Sequence, residues 1–264
     1  MADKLLTNFN AIGGDVGDGF TDLLPYGDPD AGATADRDLK VTPFELFVRR
    51  TRKYTHFWDD LYTVNMVGQN TSGTGQVNQS NQSTTSHPGV VEVKTGTDTT
   101  GAGGVSSNNV YAFRQGGGRI WFLSYFKTPS ALSDGTNRYS LFSGLTRQSL
   151  VYAPTECIAW RYVDNVNSGN WQLTCRNSST ESVSDSGTAV AADTWYRLEI
   201  DINAAGNSVT GYVNGTAASG GAITTNIPTA ESFYQAFILK SLGTTDRAAY
   251  VDGYGWLQNL TTAR

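Results

Sequence analysis

Residues 193–215 read DTWYRLEIDINAAGNSVTGYVNG, and the fold turns on them. Tyr196, Leu198, Ile200 and Ile202 alternate with Trp195, Arg197, Glu199, Asp201 and Asn203. A period of two puts the aliphatic set on one face of a strand and the polar set on the other. The aliphatic face is expected to meet the core. NAAGNS then reads as a turn and VTGYVNG as the returning strand, with Val209 and Val213 continuing the core face. Glu199 and Asp201 are therefore expected on the other face of the same sheet.

The same two-residue period recurs through most of the chain. Strand-like runs occur at 56–64 (HFWDDLYTV), 89–95 (GVVEVKT), 109–114 (NVYAFR), 119–127 (RIWFLSYFK), 139–145 (YSLFSGL) and 149–153 (SLVYA). They continue at 157–163 (CIAWRYV), 171–176 (WQLTCR), 233–241 (FYQAFILKS) and 249–260 (AYVDGYGWLQNL). Composition agrees: 39% apolar, 16% charged, 11% aromatic and 29 glycines in 264 residues favour short strands and polar turns over helices. About a dozen such strands imply an all-β, two-sheet sandwich or jelly roll. The run at 119–127 is apolar on both faces, which predicts cover on both sides, from a neighbouring subunit or from the chain's own N-terminal arm. Residues 68–87 are polar and of low complexity, and read as an exposed loop.

Residues 1–54 differ from the rest. Stretches such as GGDVGDG and YGDPDAGATADRD are turn-rich and cannot build a core alone. Within them TPFELFVRRTRK predicts one short helix, with Thr42 as N-cap, Pro43 at the first position and Glu45 completing a capping box. The expected organisation is an arm over 1–54 and a sandwich over 55–264. The arm either docks on a partner or wraps its own domain. The formal charge of -5 and a pI near 5.0 argue against nucleic acid as partner. The basic cluster of Arg49, Arg50, Arg52 and Lys53 reads as a solvated helix end. No apolar run of about 18 residues predicts a membrane span, and the first residues lack the apolar centre of a signal peptide.

Catalytic signals are thin. Laminarinase- and lichenase-type hydrolases carry a strand signature of Glu, any residue, Asp, one or two residues, then Glu. Glu199 and Asp201 fill its first two positions, but the third holds Asn203, followed by Ala204. A retaining glycosidase needs a second carboxyl group as proton donor, and neither residue supplies one. His56 and His87 fit no metal spacing and lie near no nucleophile elbow. GAGG (101–104) and QGGG (115–118) lack the Lys-Ser/Thr of a phosphate loop. Asp59, Asp60 and Asp252 have calcium-binding chemistry, but turn and capping roles are the favoured reading. Cys157 and Cys175 flank one loop: a disulfide across that hairpin is within reach, and two buried thiols fit as well. No cofactor is expected.

The order of motifs carries a resemblance. DTWYRLEIDINAAGNSVTGYVNG resembles the paired strands of the concanavalin A-like or laminin G-like sandwich. TTNIPT, FILKSLGTTDR and YVDGYGWLQNL are similar to the tail of phage-encoded members of that fold, and HPGVVEVKTGTDTTGAGG to their opening strands. The resemblance spans residues 55–264 and implies a concanavalin A-like jelly roll of two antiparallel sheets. It also implies a non-enzymatic virion protein of a tailed phage, as head fibre, capsid decoration or tail appendage, assembled in the host cytoplasm. Other virion proteins would then be engaged through residues 1–54, with a homotrimer as the expected oligomer and a host-surface glycan as an added ligand. The alternative is a carbohydrate-binding or carbohydrate-active module. For glycan contact the hairpin AWRYVDNVNSGNWQL (159–173) offers Trp160, Arg161, Tyr162 and Trp171; the competing reading makes the two tryptophans core residues.

Overall fold

The computed structural model describes residues 54–59, 61, 68–107, 113–151, 153–163 and 169–261. All belong to one compact unit, Lys53–Arg264. The helix expected over 42–53 and the rest of the arm lie outside the described residues. Among those described there is no α-helix, and none long and apolar enough to cross a membrane.

Two antiparallel sheets form the fold. The first has the order β13 (Thr216–Ala217), β12 (Val209–Val213), β11 (Trp195–Ile202), β6 (Gly118–Lys127), β15 (Ala248–Leu260), β4 (Val91–Lys94) and β3 (Gln76–Gln79). Strand β1 (Tyr54–Asp59) joins it by pairing with the C-terminal half of β15. The second runs β10 (Thr180–Ala189), β9 (Asn170–Asn177), β8 (Cys157–Val163), β7 (Arg138–Thr146), β14 (Phe233–Leu242), β5 (Ala102–Ser106) and β2 (Gly68–Ser72). This is a concanavalin A-like β-sandwich.

The opening stretch folds as its alternation dictates. Tyr196, Leu198, Ile200 and Ile202 are buried between the sheets, as are Val209 and Val213 on β12. Asn214 and Gly215 join β12 to β13 with φ of 52° and 83°. Positive φ at both central residues is what a two-residue hairpin of matching twist requires, and Asn-Gly supplies it. The sheets are tied across the core by polar contacts as well as by packing. Ser124 and Ser143 hydroxyls meet at 2.7 Å. Trp160, on β8, is fully buried, and its indole Nε1 donates to the Glu199 carbonyl oxygen of β11 at 2.9 Å.

Two expectations need correction, over 68–87 and over 149–153, and a third, over 109–114, falls mostly outside the described residues. Residues 68–87 are not one loop: β2 and β3 lie within them, at the ends of the two sheets. An edge strand bonds on one side only, so polar Gln, Asn and Thr serve there without an apolar face. The polar edge strand β10 escaped the alternation for the same reason, and GAGG lies largely in β5. Of the run at 149–153, the described residues 149–151 and 153 form no strand; Leu150 packs instead on Phe142, Cys157, Ala159 and Phe237, outside the second sheet. Of 109–114, Phe113 forms an isolated bridge to Ser232, and residues 109–112 lie outside the described set.

The backbone of Gly211, on β12, lies directly against the Trp160 indole. A Cβ there would overlap Cζ2 of the indole and come within 3.0 Å of Cε2. Overpacking of this kind typically costs about 1–3 kcal/mol. Gly211→Ala is expected to lower stability by that amount in urea unfolding, while Thr210→Ala, on the outer face of the same strand, changes it by under about 0.5 kcal/mol. Equal stability of Gly211→Ala and the parent would contradict the close approach.

Candidate functional site

The outward face of the first sheet carries an organised set of paired charged side chains and aromatic rings. On β11 the outward residues are Trp195, Arg197, Glu199 and Asp201. Across the ladder they stand opposite Lys127, Tyr125, Leu123 and Trp121 of β6. On the far side of β6, Tyr250 of β15 stands opposite Lys127, Gly253 opposite Tyr125, Gly255 opposite Leu123 and Leu257 opposite Trp121. Trp121, Leu123, Tyr125, Trp195, Tyr212 and Tyr250 are all half-buried. The expected double cover of β6 is therefore complete on the core side and partial on the outward side.

Charged groups interleave with these rings, and each is paired. Arg119 grips Asp201 with two parallel bonds, Nε to Oδ1 and an Nη nitrogen to Oδ2, both at 2.8 Å. Arg197 Nε donates to Glu199 Oε1 at 2.7 Å. Lys127 meets Asp193 at 2.7 Å, and Lys94 meets Glu92 at 3.3 Å. The more exposed of these pairs add little stability; their effect here is to fix directions. Glu199 is only 5% exposed. Burial raises its carboxyl above the usual range, against the charge and hydrogen bond of Arg197. Burial likewise raises the Tyr125 phenol, again opposed by Arg197.

At one end of this face the ladder slips between Val251 and Gly253, leaving Asp252 as the extra residue of a bulge. Bulges re-aim side chains. Asp252 Oδ2 lies 2.8 Å from Nδ1 of His87, which arrives from the segment between β3 and β4. The His87 ring stacks on Trp195, with centroids 4.1 Å apart and planes within 10°. It also meets Tyr125 edge-on at 6.2 Å. A histidine, an aspartate, two aromatic rings and the Arg197–Glu199 pair thus converge from four separate segments.

The residues singled out from the sequence fall elsewhere. Trp160, Tyr162 and Trp171 are buried among the core side chains, so their rings are not open to a sugar. They face inward because β8 and β9 present them on the same side as Ile158 and Leu173. Arg161 faces outward from the second sheet, is buried, and pairs with Glu181. Asn203 shapes the β11–β12 turn: its Oδ1 accepts from the amides of Asn207 and Ser208 at 3.0 and 3.2 Å. Cys157 and Cys175 are free. The register sets Ile158, not Cys157, opposite Cys175, so the two thiols point to opposite faces of the sheet and no disulfide can form. Among the described residues no group of three or more His, Cys, Asp or Glu is arranged to hold a metal ion. His87 and Asp252 were the residues whose meeting the sequence did not announce. The available signal was the break in alternation at Val251-Asp252-Gly253.

This architecture and this face define a class, the concanavalin A-like β-sandwiches. Residues 86–252 match the family described as SO2946-like, C-terminal domain, and the chain belongs to that family. Among solved structures it is similar to the protein of unknown function SO2946 from Shewanella oneidensis MR-1, at 14% identity and TM-score 0.57, over 84% of this chain and 96% of that one. It is also similar to a native glycosidic hydrolase, at 12% identity and TM-score 0.51, over 76% and 95%. A Bacillus licheniformis β-glucanase aligns at 14% identity and TM-score 0.49, over 76% and 97%. No curated protein matches the chain by sequence. The first two likenesses bear on the fold and not on a place in a virion.

Burial pushes the Cys157 thiol up to about 12 and raises Cys175 further. Neither is a thiolate near neutrality, so the native protein is expected to leave a thiol-specific chromogenic reagent unreacted at pH 8 and to release two equivalents on denaturation. Rapid reaction of the native protein, or none after denaturation, would contradict the assignment.

Proposed function

We propose that this protein is a non-enzymatic, glycan-recognising β-sandwich whose binding surface is the outward face of the first sheet. One observation carries the reading: Trp121, Tyr125, Trp195, Tyr212 and Tyr250 stand half-buried on one face, interleaved with side chains whose hydrogen-bonding atoms are held in fixed directions. Pyranose rings stack on aromatic faces, and a few convergent polar groups fix their orientation. Gly253 and Gly255 leave the floor beside Tyr125 and Leu123 without side chains. The glycosidic hydrolase of similar fold is compatible with this reading through the fold alone.

Catalysis is disfavoured by the state of the carboxylates. Asp201 is gripped at both oxygens by Arg119, Asn203 is committed to a turn, and Glu199 is held by Arg197. A retaining mechanism needs two carboxyl groups about 5–5.5 Å apart, one of them a proton donor. The second reading, a glycan hydrolase, is favoured by one observation: burial raises the Glu199 carboxyl, the direction a general acid requires.

The setting we propose for this surface is a tailed-phage particle, with the sandwich displayed as a homotrimer and residues 1–54 engaging other virion proteins. That setting is supported by the order of the sequence motifs from residue 55 onward and by the turn-rich arm. Removing residues 1–54 should then abolish incorporation into particles and leave a folded sandwich. A truncated chain that unfolds would make the arm part of the domain.

Titration with laminarin, lichenan and host capsular polysaccharide tests the surface. Binding by at least one of them is expected, with Tyr125→Ala weakening it about tenfold, or on the order of 1.4 kcal/mol. No release of reducing ends is expected from any. Hydrolysis that disappears in Glu199→Gln would establish the enzyme instead. Binding unaffected by Tyr125→Ala but lost on changing the second sheet would move the site.

A further inference from the structure

We infer that His87 is a built-in occupant of a pyranose subsite made by Trp195, Tyr125 and Asp252, and that ligand must displace it. The inference rests on the glycan-binding reading and assigns its first contact and its control. A flat ring lying 4.1 Å over an indole at 10° occupies the space in which a sugar ring stacks. Its Nδ1 meets the Asp252 carboxylate at 2.8 Å, the partner a sugar hydroxyl would use. Both recognition elements, stacking and hydrogen bonding, are thus satisfied by one residue of the protein itself.

The segment bearing His87 is built to leave. Residues 81–86 are exposed and polar. Their turn is closed locally, Thr84 and His87 exchanging backbone bonds at 2.9 and 3.2 Å, with Ser86 N donating to Thr84 Oγ1. At its base the segment is held by Ser80 N to the Val90 carbonyl and by Val90 N to Ser83 Oγ. From β4 the chain reaches past β15 and β6 to Trp195 on β11, about 14 Å at ~4.8 Å per strand spacing. His87 meets the sheet face through its bond to Asp252, its stack on Trp195 and its edge contact with Tyr125. Pro88 follows directly, which disfavours helical backbone at His87.

A site that must be vacated binds in proportion to its open fraction. His87→Ala should therefore tighten binding, the opposite of what removal of a ligand-contacting residue does. The experiment compares the full chain and His87→Ala on an array of neutral and acidic oligosaccharides, followed by titration of the hits. The expected result is the same set of glycans bound about tenfold tighter, with the gain abolished when Trp195→Ala is added. In His87→Gly, millimolar imidazole should refill the slot and return the affinity toward the parent value, a readout independent of any change in melting temperature. Weaker or equal binding by His87→Ala, or no effect of imidazole on His87→Gly, overturns the inference and leaves the glycan-binding reading standing. No glycan bound by either chain overturns both.

Discussion

The indole of Trp160 is the contact on which the arrangement depends. It arises on β8 of the second sheet, crosses the core, lies against the bare backbone of Gly211, and donates its N–H to the Glu199 carbonyl oxygen. That bond fixes how far β11 stands from the second sheet, at the residue whose side chain projects from the other face. An unpartnered indole N–H in the core would cost about 1–3 kcal/mol, so the bond and the glycine that admits the ring act together. Around this pin the packing is aromatic: Tyr234 stacks on Tyr254 across the sheets at 3.9 Å, and Trp171 meets Tyr196 edge-on at 5.5 Å. The core side of β11 is rigid because of these contacts, and its outward residues inherit that rigidity.

The outward face follows a different rule. Its cations and carboxylates neutralise one another in adjacent pairs, and aromatic rings fill the spaces between. Such a surface presents directed hydrogen-bonding atoms without a large net field. That suits ligands rich in hydroxyl groups and gives little long-range attraction to polyanions. The bulge at Asp252 departs from the ladder, and it is there that a loop residue descends onto the face. Local irregularity in an otherwise regular sheet is a usual mark of function.

Much of the sandwich was legible in the sequence because its central strands alternate. β6, β7, β8, β9, β11, β12, β14 and β15 all correspond to runs identified by period. The strands that escaped, β2, β3, β5, β10 and the two-residue β13, are polar, short or glycine-rich, and four of the five lie at sheet ends, where a single bonded neighbour removes the demand for an apolar face. The site was less legible, for two reasons. Inward and outward sets on β8 are both rich in large side chains, so alternation alone did not say that Trp160 and Tyr162 belong to the core. His87 and Asp252 are 165 residues apart, and nothing local in either joins them; only the sheet order β11-β6-β15-β4 does. At the third position of the incomplete hydrolase signature, Asn203 offers no proton donor, and its Oδ1 accepts from the amides of the β11–β12 turn.

The measurement that bears most directly on this account is the structure of the protein with a bound oligosaccharide. The account predicts a sugar ring over Trp195, bonded to Asp252 and bordered by Tyr125, with His87 withdrawn from the indole. A sugar lodged against the second sheet or at the β8–β9 hairpin, with His87 still stacked on Trp195, would contradict it.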